Sequence, residues 1–108
     1  MRKAFIMLSV LAVAAFVFGA AGTAKGTGKT GEELFKQNCS PCHTDGGNIV
    51  NPQKTLHKKD REANGVKTAS DIIGKMRNPG PGMTKFDKNT IPDKDAKEIA
   101  KYIMKTFK

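Results

Sequence analysis

The sequence predicts an all-α domain, and three observations carry that prediction. Ala96, Ile99, Ala100, Ile103 and Phe107 recur at helical spacing near the end of the chain. Thr30 to Glu33 and Thr68 to Asp71 each set a hydroxyl residue three positions before a carboxylate, the arrangement that closes the first turn of a helix. No stretch alternates apolar and polar residues with the period of two that a half-buried strand requires.

The elements follow in order. Arg2 and Lys3 precede an apolar run from Ala4 to Phe18 and small residues from Gly19 to Ala24. That order predicts a cleaved secretory signal over residues 1–21, with 24 as the latest cut. An uncleaved anchor is disfavoured by the small-residue end and by the lack of a basic flank after the apolar run. No cysteine follows that run closely enough for lipid attachment. Residues 22–29 lack large apolar side chains and read as a flexible lead-in, so the domain is expected over 30–108.

A first helix starts at the Thr30 box, takes its apolar side from Leu34 and Phe35, and runs towards Cys39. Gly46, Gly47, Asn51 and Pro52 mark a loop. A short helix is expected from Lys58 to Asn64, stopped by Gly65. Ile72, Ile73 and Met76 give the helix after Thr68 its buried face, and Met76 and Met104 both read as core packing. Asn78-Pro79-Gly80-Pro81-Gly82 then excludes regular structure up to Met83. The last helix follows Pro92-Asp93 and runs for about four turns.

Without residues 1–21, roughly 85 residues remain, enough for one small domain whose core needs support from a disulfide, a metal or a cofactor. The formal charge is +9, and removal of Arg2 and Lys3 leaves +7. A basic surface favours acidic partners. Nucleic acid is not expected as a partner of an exported protein.

The chain has two cysteines, and both lie in Asn38-Cys39-Ser40-Pro41-Cys42-His43-Thr44. A redox-active pair of this spacing needs a βαβ scaffold to present the nucleophilic thiol, and no strands are expected here. A zinc site from Cys39, Cys42, His43 and His57 would need adjacent residues to share a closed tetrahedron, and finger patterns space their histidines apart. Covalent haem uses every residue of the motif. Two cysteines one tight turn apart reach the two vinyl groups on one porphyrin edge, and the next residue lies beneath the ring where the His43 imidazole meets iron. Attachment of this kind follows export, in agreement with the leader.

Around this motif, Gly31-Glu32-Glu33-Leu34-Phe35, Met83 and Ile99-Ala100-Lys101-Tyr102-Ile103 resemble the small class I cytochromes c. Gly46-Gly47-Asn48, Pro52-Gln53-Lys54-Thr55-Leu56 and Glu62-Ala63-Asn64-Gly65 look most similar to the cytochrome c6 subgroup. The resemblance implies a cytochrome c fold: three to four short helices around one haem c per chain, with first and last helices crossing near Gly31 and Tyr102. It implies that Cys39 and Cys42 hold the haem, that His43 is the proximal ligand and Met83 the distal one. It also places Pro52 in the loop whose carbonyls accept the second imidazole proton, and Phe86 as an aromatic neighbour of the haem. One departure stands out, because the family's usual proline after the distal methionine is Thr84 here.

Met83 has independent support, since it sits in a Pro/Gly loop forty residues after His43, where packing alone explains little. His57, flanked by Lys58, Lys59 and Asp60, reads as solvated. The expected function is one-electron transfer between exported redox proteins of a respiratory or photosynthetic chain, in the periplasm or an equivalent compartment. The expected molecule is a soluble monomer and not an enzyme, reaching membranes only through membrane-bound redox complexes. The rival is a haem enzyme or gas sensor in which Met83 leaves the sixth position open.

Overall fold

A computed structural model describes residues 26–108. The expected signal segment, and the lead-in up to residue 25, lie outside the described residues. Five α-helices follow in order: α1 Gly31–Asn38, α2 Ser40–His43, α3 Lys58–Ala63, α4 Ala69–Arg77 and α5 Asp93–Thr106, with a 3-10 turn at Thr44–Gly46 after α2. The described residues contain no strand, as the sequence predicts. None of their helices is long and apolar enough to cross a membrane.

Both capping boxes form. The Thr30 hydroxyl accepts from Glu33 N–H at 3.2 Å while the Glu33 carboxylate takes Thr30 N–H at 3.3 Å. Thr68 and Asp71 repeat the exchange at 3.1 and 3.0 Å. Each pair satisfies amides that the helix itself leaves without partners. Gly65 takes a left-handed φ of +78° just beyond α3, a conformation that costs glycine little.

α5 packs against both α1 and α4. Its stripe of Ala96, Ile99, Ala100 and Ile103 is buried, and Leu34, Phe35, Ile72, Met76 and Ile91 complete the core around it. The α1–α5 crossing depends on Gly31, where an added Cβ would lie 2.3 Å from the Glu98 carbonyl oxygen and 2.9 Å from the Tyr102 Cβ. Phe35 meets Tyr102 and Phe107 with ring centroids 5.3 Å from each, in tilted geometry.

Three details differ from expectation. The described residues hold five α-helices where three to four are expected, because the turn Ser40–His43 forms a short helix of its own. Met104 is 37% exposed and is not a core residue. It follows Ile103 by a single position, so it turns off the buried stripe while its neighbour stays on it. Thr27, in the lead-in, donates its N–H to the buried Asp95 carboxylate at 3.0 Å, which ties the start of the described chain to α5.

Candidate functional site

Cys39 ends α1, its N–H donating to the Phe35 carbonyl at 2.8 Å, and also opens α2. The N–H groups of Cys42 and His43 then both turn back to the Cys39 carbonyl, at 3.1 and 2.8 Å. Pro41 lies in the first turn of α2, where its missing N–H leaves no bond unmade. Cys39, Cys42 and His43 therefore lie on one helical turn, and spacings of three and four put all three on one side of it.

Cys39 is buried, Cys42 is exposed, and both thiols are free. Burial pushes the Cys39 thiol up to about 11, the opposite of an activated redox nucleophile. Zinc is unsupported as well: the described residues hold no cluster of three or more His, Cys, Asp or Glu side chains able to bind a metal. His57 is exposed and sets its ring edge-on to Phe107 at 5.7 Å.

The His43 ring is oriented by its own loop. Nδ1 lies 2.7 Å from the Gly47 carbonyl oxygen. A carbonyl can only accept, so Nδ1 carries the proton and Nε2 keeps its lone pair for a metal. The chain reaches Gly47 through two consecutive left-handed residues, Asp45 at φ 53° and Gly46 at φ 79°. A Cβ on Gly46 would also strike the Phe107 ring at 2.5 Å. Pro52 is exposed, and the imidazole's partner is the Gly47 carbonyl, five positions upstream in the same loop.

Beyond Gly47 the loop folds back on the motif, Ile49 N–H donating to the Cys42 carbonyl at 3.0 Å. Ile49 and Val50 are 68% and 59% exposed. A Cβ on Gly82 would come within 2.9 Å of Val50 Cγ1, and Gly82 itself has φ +89°. The loop after His43 thus touches the residue just before Met83.

Met83 is half-buried in a segment held at both ends. Phe86, partly buried against the core, donates its N–H to the Met76 carbonyl at 2.8 Å. Arg77 Nη1 donates to the Phe86 carbonyl at 3.1 Å and to the Ile91 carbonyl at 2.8 Å. Its Nη2 reaches the Asp93 carboxylate at 2.8 Å. That hydrogen bond holds the Asp93 carboxyl below the usual carboxylate range. Reasoning from sequence missed Gly47, Val50 and Arg77; only the Gly46-Gly47 pair left a local signal, that of a sharp turn.

These residues fit a covalently held haem. They supply two free thiols and an imidazole on one turn, with the imidazole's metal-binding nitrogen free, and exposed apolar residues beside them. A family model described as cytochrome c oxidase, cbb3-type, subunit III matches residues 26–103. The chain is similar to cytochrome c6 of Cyanidium caldarium, with 35% identity over 68% of this chain and 66% of that protein. It is similar to cytochrome c6 of a Nostoc species, with 32% identity over 96% and 93% of the two. Among solved structures it is similar to OmcF, an outer membrane cytochrome from Geobacter sulfurreducens, at TM-score 0.70 and 47% identity, covering 72% of this chain and 99% of that one. The chain belongs to the cytochrome c family and carries one covalently bound haem c.

Proposed function

We propose that the protein is an exported one-electron carrier with His43 and Met83 as the axial ligands of its haem. Cys39 and Cys42 would form the two thioethers. When bound, the haem supplies an iron that exchanges one electron between its ferric and ferrous states. The observation that carries the reading is the His43 imidazole. Its Nδ1–H is committed to the Gly47 carbonyl at 2.7 Å, which orients the ring and strengthens Nε2 as a donor.

Arg77 ties the Met83 segment to α4 and to the start of α5. A thioether ligand favours the ferrous state, so His/Met ligation raises the potential relative to two imidazoles. Pro52, being exposed, contributes to the loop and not to the imidazole bond, while Phe86 acts as an apolar neighbour of the Met83 segment. Transfer then needs neither a nucleophile nor a proton donor. The compartment is the periplasm or its equivalent, and the partners are redox proteins with acidic docking surfaces.

Thr84 supports a second reading. It replaces the stiffening proline, and its N–H has no partner among the described residues, so Met83 could exchange with a gas. Redox titration of the purified holoprotein with carbon monoxide present or absent separates the two. A carrier gives a single one-electron wave that carbon monoxide leaves in place. Prompt, stoichiometric carbon monoxide binding to the ferrous protein would replace the carrier reading with the sensor.

A further inference from the structure

We propose that the cleft between α3 and the end of α5 binds a phosphate-type oxyanion. The cleft, about 240 Å³ in volume, is lined by Lys58, Arg61, Glu62, Lys67, Met104 and Lys108. Four of the six are cations and one is a carboxylate. None of Cys39, Cys42, His43 or Met83 contributes to it, so the proposal does not rest on the electron-carrier reading.

Arg61 is the centre of the argument. It is only 5% exposed, and a buried guanidinium is costly unless a partner completes it. Its Nε donates to the Leu56 carbonyl at 2.7 Å. Among the described residues the guanidinium makes no other hydrogen bond, and no carboxylate stands within ion-pair distance of it. Glu62, although it lines the same cleft, is not paired with it.

Arg77 shows how the amino groups of a guanidinium are satisfied in this fold, with Nη1 on two carbonyls and Nη2 on Asp93, although its Nε is buried without a partner. The Arg61 amino groups have no such partners, and they are not sealed off either. Arg61 itself lines the cleft.

The lining selects the ligand. A guanidinium presents parallel donors in a planar fork, matched to two oxygens of one anion. Lys58, Lys67 and Lys108 add point charges around that fork, which suits an oxyanion with several oxygens and more than one negative charge. Met104, 37% exposed on the wall, gives an organic substituent an apolar surface to lie against. A phosphomonoester has both parts. Its source is either a soluble phosphate compound or the headgroup of an acidic lipid.

Two titrations of the haem-loaded protein at constant ionic strength test this. One is calorimetry with inorganic phosphate balanced by chloride. The other is co-sedimentation with phosphatidylcholine vesicles with and without phosphatidic acid. Phosphate is expected to bind saturably at one site, at least tenfold more weakly in Lys67→Gln and severalfold more tightly in Glu62→Gln.

Arg61→Lys keeps the charge but loses the fork, and should also bind at least tenfold more weakly. If that variant does not fold, the two exposed positions still decide the matter. Sedimentation with phosphatidic acid vesicles that free phosphate competes away, and that Met104→Asp abolishes, identifies a lipid source. Phosphate binding without sedimentation identifies a soluble one. Heats no different from those of chloride, or binding that Lys67→Gln leaves unchanged, would overturn the proposal.

Discussion

Arg77 and Asp93 meet at 2.8 Å across sixteen positions of sequence, and the segment that carries Met83 lies between them. The hydrogen bond from Arg77 holds the Asp93 carboxyl below its ordinary value. A carboxyl lowered in the folded state contributes stability above its unfolded value of about 3.9, and that contribution is lost as pH falls through the lower folded value. Asp93→Asn is therefore expected to be less stable than the parent at neutral pH, with the difference shrinking as pH falls below the ordinary carboxylate range. Urea unfolding at neutral pH and in acid checks this. A difference that persists in acid would mean that the asparagine disturbs the fold by some other route.

Gly31→Ala probes the α1–α5 crossing. The new methyl would enter the Glu98 carbonyl at 2.3 Å, and backbone cannot move aside as a side chain can. Overpacking of this kind costs about 1–3 kcal/mol, more than the gain of up to about 1 kcal/mol from replacing glycine in a helix. The midpoint of urea unfolding should fall with no change in slope. A midpoint equal to the parent's would show that the two helices can separate freely.

Methionine ligation should be the weakest link of the haem site. Thr84 N–H has no partner among the described residues, so Thr84→Pro removes no bond while restricting the chain beside Met83. That variant should exchange Met83 for added imidazole more slowly than the parent. In the parent, mild denaturant should displace Met83 before helix content falls. Met83→Ala should bind carbon monoxide at once, whereas His57→Ala should leave the spectrum as it was. If ligand loss and helix loss coincide at every denaturant concentration, this account of Thr84 fails.

Salt should slow electron transfer to acidic partners. Without residues 1–21 the chain carries +7, and two ionised haem propionates reduce that to about +5. A positive field raises encounter rates with acidic proteins. It is screened as the Debye length contracts from about 10 Å at 0.1 M to about 3 Å at 1 M. Stopped-flow rates against one acidic and one basic redox protein should fall and rise respectively along a salt series. Rates independent of salt with both would reduce the lysines to a solvating surface.

The parts of the fold that could be read from sequence are those set by neighbours along the chain. The boxes at Thr30 and Thr68 start helices because donor and acceptor are three residues apart. The α5 stripe repeats with the helix itself. The shared turn of Cys39, Cys42 and His43 was legible for the same reason, being set by spacings of three and four. The Gly47 carbonyl was not, because it reaches His43 only after Asp45 and Gly46 both turn left-handed. The Arg77 clamp joins groups 9 to 16 positions apart with no repeating pattern. Met104 was misjudged because position beside a buried stripe is not position on it.

The α1–α5 crossing also bears on the order of events during synthesis. Its two helices stand at opposite ends of the described chain, so no N-terminal piece can close the core alone. Bringing such distant segments together is slow, because chain entropy is lost before the contacts that offset it exist. The turn from Cys39 to His43 is complete in sequence long before α5 arrives. A chain threaded outward from its N-terminus therefore presents its two thiols and imidazole on an open segment. The last helix packs afterwards against α1 and α4, while Cys42 on that turn stays exposed, so the place of haem attachment exists before the core that α5 completes.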